Sequence, residues 1–211
     1  MFSMRVFLAH LSISVGIIMF LSGQAFSQDL VPERLQDMPS LHQGGGVVQL
    51  GDNIHVWGGN PGYSTPHDVF NLSSEAWSTL APLPSGRSGM GEFGLGGLAY
   101  SVGGEGPYGG SFNNEVLRYD PVADTWSQFG NFPRDVWSTM FVVCDGRAYG
   151  FGGRSGYGAT LPDCYVMDES TGSWSRRSDM LYHVKHAGSV AYNDKIFVFG
   201  GNHKISESQN V

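Results

Sequence analysis

The chain has 211 residues, 41% apolar and 13% aromatic but only 15% charged, with 31 Gly and 10 Pro. That apolar and aromatic content supplies a buried core and excludes a disordered, highly charged chain. The formal net charge of −7 and the lack of any run of five basic residues count against a nucleic-acid partner, because this balance repels phosphate backbones.

Residues 1–27 stand apart from the rest. Arg5 precedes the apolar run "VFLAHLSISVGIIMFL", which is short for a bilayer span and is interrupted by His10, Ser12 and Ser14. Ala25 and Ser27 occupy the −3 and −1 positions of a cut before Gln28. The pattern predicts a cleaved signal peptide over 1–27, a secreted or periplasmic chain over 28–211, and no stable membrane anchor after cleavage. Loss of Arg5 takes Lys plus Arg from 12 to 11 against 19 Asp plus Glu, a balance of −8.

Downstream, "ERLQDMPSLH" resembles the later stretches "STLAPLPSGR" and "SRRSDMLYH", so residues 30–41 are a candidate outer strand closing a ring of repeats. Apolar runs then end in a Gly-Gly doublet four times: Gly58-Gly59, Gly103-Gly104, Gly152-Gly153 and Gly200-Gly201, spaced by 45, 49 and 48 residues. Trp77, Trp126 and Trp174 follow at intervals of 49 and 48, each with a turn-forming Asn71, Asp120 or Asp168 six residues before it. Two markers in register define a repeat.

Within the third period, "TMFVVC", "RAYGFGG", "DCYVMD" and "SWSRR" read as four short antiparallel strands, the first two joined by an Asp-Gly hairpin turn. "MFVVC" and "IFVF" are unbroken apolar runs, which implies burial on both faces. Four-stranded blades stacked around an axis meet that need. The repeats fall at about 42–89, 90–138 and 139–186, with a partial fourth over 187–211.

Doublets followed by a Trp at this period resemble Kelch repeats, over residues 30–202, in a chain of bacterial-type exported character. The resemblance implies an all-β fold, a β-propeller of four-stranded antiparallel Kelch blades. The first strand of each repeat lies nearest the central channel and the Trp strand lies outermost. Three complete repeats and a partial fourth suit an incomplete ring and a truncated piece of a larger Kelch protein. An incomplete ring would expose blade faces and edges to self-association.

Hairpin geometry brings the loops after the doublets and the segments before each first strand to one rim. The residues directly after the doublets are Asn60, Glu105, Arg154 and Asn202, and each of the first three loops carries a tyrosine: Tyr63, Tyr108 and Tyr157. The segments before the first strands add Arg87, Arg134, Trp137, His183, Lys185 and His186. Rigid tyrosines among Gly, Ser and Asn suit a binding surface for a glycan or protein ligand. Equally, each Tyr at the same repeat position suits packing on its own blade. Glu92, on an innermost strand, is the candidate channel acid, and Glu92 with Arg87 is a speculative acid–base or sugar-anchoring pair.

No cofactor or metal is expected: "HVKH" lacks companion ligands at zinc spacing, and no copper constellation is present. Cys144 and Cys164 are expected as two buried thiols without a disulfide, since they lie at opposite ends of strands separated by a third. The function expected is an exported binding or interaction module. The alternative is a carbohydrate-active enzyme similar to the periplasmic sialic-acid mutarotases and epimerases.

Overall fold

The computed structural model describes residues 34–107, 112–156 and 158–204. The candidate signal peptide, Tyr108 and Tyr157 lie outside the described residues. All regular structure within them is β.

Strands β1 (Gly46–Leu50), β2 (Asn53–Trp57), β3 (His67–Asn71) and β4 (Ala76–Thr79) form the first blade in that spatial order. Strands β5 (Gly91–Leu95), β6 (Leu98–Val102), β7 (Glu115–Asp120) and β8 (Thr125–Asn131) form the second. The short β9 (Val136–Trp137) comes next, and the third blade is built from β10 (Met140–Cys144), β11 (Arg147–Phe151), β13 (Cys164–Met167) and β14 (Trp174–Arg176). Between its second and third strands, β12 (Arg154–Ser155) pairs back onto β9. After β15 (His183–Lys185), β16 (Gly188–Tyr192) and β17 (Lys195–Phe199) give the inner half of a fourth blade, and β18 (Asn202–Lys204) pairs with β15. Successive inner strands β1, β5, β10 and β16 pack side by side, so the blades follow one another around a common axis. This is the β-propeller architecture, with three complete blades and part of a fourth among the described residues.

Local chemistry sets each blade. In blades 3 and 4 the inner hairpins turn on two-residue loops whose residues both take positive φ, Asp145 (49°) with Gly146 (65°) and Asn193 (48°) with Asp194 (56°). The residue six before each Trp nucleates the outer turn. Asn71 Oδ1 accepts from the amides of Ser73 and Ser74, Asp120 Oδ1 from those of Val122 and Ala123, and Asp168 Oδ1 from that of Ser170. In blades 1 and 2 the Trp then ties the blade to the stretch before it: Trp126 Nε1 donates to the Ala81 carbonyl at 3.1 Å and Trp77 Nε1 to that of Gln36 at 3.1 Å, whereas the buried Trp174 Nε1 of blade 3 has no partner among the described residues.

Residues 34–41, part of the stretch expected as an outer closing strand, join no ladder. They lie along blade 1 where the repeat tail around Ala81 lies along blade 2. The Ser40 amide donates to Asp68 at 3.0 Å, and His42 joins Asp68 to the Gly58 carbonyl.

Two apolar seams hold the blades. The first carries Val48, Trp57, Leu83, Met90, Ala99, Leu117 and Tyr119; the second carries Phe93, Tyr100, Val102, Val116, Phe132, Tyr165 and Met167. Both faces of blade 2 are therefore buried, but "IFVF" on β17, expected to be buried on both faces, is mostly exposed because no further blade among the described residues packs on it.

Candidate functional site

The rim is built by the doublets. Gly58, Gly103, Gly152 and Gly200 sit at φ of 66°, 64°, 65° and 67°, and each second glycine is also left-handed. A Cβ on Gly103 would come 2.7 Å from the Val136 carbonyl oxygen, so glycine is required there by space as well as by φ. The second amide of each of the first three doublets donates to the tail of its own repeat, the segment that leads into the next blade's inner strand: Gly59 to the Arg87 carbonyl (2.8 Å), Gly104 to Val136 (2.9 Å) and Gly153 to Val184 (2.8 Å). The following residue then pairs with the segment before its own inner strand. Asn60 bridges Gln43, Glu105 bridges Ser88, Arg154 pairs with Trp137 and Asn202 with Lys185. One backbone frame thus carries two amides, one carboxylate and one guanidinium.

Inside this tier runs a collar of left-handed residues, Gly44, Gly89, Ser138 and His186, with φ of 68°, 60°, 55° and 55°. The Gly89 amide donates to the Gly44 carbonyl and the Ser138 amide to that of Gly89, both at 2.8 Å. Ser138 Oγ and His186 Nδ1 are 2.8 Å apart.

The rim side chains concentrate over blades 2 to 4. Trp137 lies parallel to Phe112 (8°, centroids 6.1 Å apart) and edge-on to His186 at 4.8 Å. The Arg154 guanidinium lies 5.8 Å from the Phe112 ring centroid. Its buried Nε has no hydrogen-bond partner, and it makes no ion pair among the described residues. Burial, then the neighbouring Lys185 and Arg154 cations, hold the His186 imidazole below its usual range. On the blade 1–2 side, desolvation and the hydrogen-bonded Glu105 carboxylate raise the Tyr63 phenol. Phe112 escapes sequence reasoning because it falls outside the doublet spacing, and only the Glu105–Phe112 bridge brings it back to the rim.

Two rim assignments change. Arg87 does not face the rim: it is 1% exposed and lies in the seam, bonded to the Gly103 carbonyl (3.3 Å), Asn113 (3.3 Å), Ser85 (2.7 Å) and Glu115 (2.7 Å). Its terminal nitrogens are committed, so the Glu92–Arg87 pair is not formed. Arg134 is held by the Asp163 carboxylate, which also takes Arg176 at 3.0 Å, and is anchored to blade 3 rather than presented to a ligand.

Glu92 lines the channel, in a cavity of about 380 Å³ with Val47, Gln49, Gly94 and Val143 from neighbouring inner strands. Burial pushes its carboxyl up to about 8, and it has no ion pair among the described residues. The two "HVKH" histidines diverge, His183 Nδ1 to the Thr160 carbonyl and His186 Nδ1 to Ser138. Among the described residues no cluster of three His, Cys, Asp or Glu could hold a metal. Both cysteines are free thiols; Cys144 is buried, whereas Cys164 is only half-buried, at a sheet position opposite Phe151. Burial raises the Cys164 thiol.

No protein-family model matches the chain. It is 31% identical over 219 residues to Kelch-like protein terF of Aspergillus terreus, covering 90% of this chain and 48% of that protein. It is 30% identical over 155 residues to Kelch-like protein 35 of Mus musculus (72% and 26%) and 24% identical over 186 residues to Kelch-like protein 25 of Xenopus tropicalis (83% and 31%). The chain therefore spans less than half the length of these relatives. Among solved structures, "Structure of YjhT" superposes with a TM-score of 0.71 at 19% identity, covering 79% of this chain and 60% of that one. These likenesses support the Kelch-repeat resemblance, and the last shows the propeller fold.

Proposed function

We propose that this chain is an exported binding module that holds a protein or glycan ligand on the doublet rim, over Arg154, Phe112, Trp137 and His186. One observation carries the reading: a guanidinium without a counter-ion among the described residues, beside two parallel aromatic rings. Arg154 supplies charge-assisted donors for a ligand carboxylate, and the rings supply rigid apolar area beside it. The similarity to Kelch-like proteins favours a protein ligand. Export rests on the signal-peptide pattern of residues 1–27.

A second reading, a carbohydrate-active enzyme, rests on Glu92, a channel acid held protonated at neutral pH. It lacks the Arg87 partner that would anchor a sugar beside it, so binding is the better reading.

The test is peptide- and glycan-array binding by the secreted chain, compared with Arg154→Ala, together with NMR of anomer and epimer interconversion in added sialic acid. Binding without turnover, weakened about ten-fold or more by Arg154→Ala, is expected from loss of a charged hydrogen bond. Interconversion abolished by Glu92→Gln would instead establish the enzyme.

A further inference from the structure

The seam between blades 1 and 2 holds a feature that binding at the rim does not use. His55 and His67 lie within it, 2% and 0% exposed, with His55 Nδ1 3.0 Å from His67 Nε2. His67 Nδ1 is 3.2 Å from the Ala81 carbonyl, an acceptor, so that nitrogen carries the proton. His67 Nε2 then accepts from His55 Nδ1–H, which leaves His55 Nε2 as a bare, buried lone pair without a partner.

Blade 2 closes over this pair. Tyr119 on β7 meets His67 at 4.5 Å and His55 at 5.6 Å, and Trp126 on β8 meets His67 at 5.5 Å and Trp57 at 5.3 Å. The same hydrogen-bond network ties the blades together. Trp126 Nε1 shares the Ala81 carbonyl with His67, while Asp124 accepts from the Ala81 amide (2.9 Å) and the Tyr119 hydroxyl (2.7 Å).

We propose that the His55–His67 pair is an acid-sensitive latch, whose protonation opens blade 1 from blade 2 while the seam between blades 2 and 3 stays closed. A proton has two places to go, and both break the seam. On His55 Nε2 it creates a buried imidazolium with no acceptor. On His67 Nε2 it displaces the hydrogen bond from His55 and sets two donors against each other.

The charged groups around the pair do not rescue it. Asp124 faces His67 from the β7–β8 turn, but its hydrogen bonds among the described residues go to the Ala81 amide and the Tyr119 hydroxyl. Asp68 on β3 is engaged by His42, Ser40 and Thr79. Glu92 on β5, at the channel edge, carries a proton throughout mild acid. Tyr119 stays neutral, its hydroxyl raised by burial and by Asp124.

Burial, reinforced by His55, lowers the His67 imidazole from 6.5 to about 4, and burial lowers His55. The opened form therefore binds more protons below pH 6.5. Closure is constant above that value and is lost as pH falls toward about 4. The second seam has no such group at these places. The positions matching His55 and His67, by their distance from the doublet and by sheet register, are Tyr100 and Val116.

Hydrogen exchange resolved by peptide, corrected for intrinsic rate, tests this on the full chain at several pH values from about 7 to about 4.5. Protection of β2 and β3 is expected to fall about ten-fold or more across that range, while β6 and β11 keep theirs. Simultaneous loss in all blades, or no selective loss in blade 1, would overturn the proposal. A folded His55→Phe/His67→Phe variant should keep its blade 1 protection to lower pH, and opening at the wild-type pH would equally defeat the latch. If that variant does not fold, the wild-type comparison between blades decides alone.

Discussion

At the scale of single residues, Arg87 and Glu92 show how burial changes the meaning of a charge. Arg87 joins the tail of the first repeat to the second doublet through Gly103 and to β7 through Glu115, whose side chain is 41% exposed. Arg87→Met should cost about 2–3 kcal/mol of unfolding free energy, measured by urea titration. That is below the usual loss for a broken buried pair, because water can reach Glu115. Lysine should not restore the loss, having no planar fork to reach four acceptors at once. Glu92 gives the opposite sign. Its folded carboxyl is raised to about 8, so its contribution is fully present below the unfolded value near 4.5 and is lost as pH rises through 8. Glu92→Gln should match the wild type near pH 4 and exceed it at pH 9 by about 2 kcal/mol, read from denaturation midpoints; full linkage would give about 5 kcal/mol, but solvent screens this half-buried carboxyl.

At the scale of elements, the period of doublet and Trp made the strands legible, because both markers are backbone requirements. The doublet needs left-handed φ where the chain meets the next blade, and the Asn or Asp needs its carboxyl or amide oxygen to close an Asx turn. The four strands of the third repeat appear where hydrophobic pattern and turn chemistry put them, within two residues at each end. Side-chain direction in the segments before the inner strands was not legible. Those segments have no long ladder to fix a pleat, only the two-residue β9–β12 pairing, the three-residue β15–β18 pairing and single bridges. Hence Arg87 was expected at the rim and lies in the seam, and the pleat of Glu92 needed the structure. Two glycines of the third blade separate φ from space. Gly146 and Gly152 both have φ of 65°, but a Cβ on Gly146 meets nothing within 4 Å, whereas on Gly152 it would lie 2.5 Å from Met140 Cε and the Val184 carbonyl oxygen. Gly146→Ala should cost about 1–2 kcal/mol, the backbone penalty alone. Gly152→Ala should cost at least about 1 kcal/mol more in the same urea titration, through the overpacked contact.

At the scale of the whole molecule, the blades differ in what covers them. Trp57, Val102 and Phe151 end the second strands of blades 1 to 3, and they are 0%, 0% and 2% exposed because the next blade packs on them. Phe199 holds the same place in blade 4 and is 61% exposed. Val190 is 49% exposed, whereas Val48 and Phe93 at the matching inner-strand positions are 7% and 4%. Phe197 and Phe199 stack on each other at 6.3 Å on this uncovered face, and Tyr192 extends it. The β17 edge is unpaired among the described residues. A continuous apolar sheet face beside a free edge favours association, since burying it recovers the contacts that the other three blades already make. The full chain should therefore sediment with a weight-average mass that rises with concentration. Phe199→Lys with Val190→Lys should shift it toward the monomer without changing the near-ultraviolet dichroism of blades 1 to 3. A wild-type chain that stays monodisperse and monomeric at every concentration, and unfolds in one cooperative step, would show instead that blade 4 is stable with its face in water.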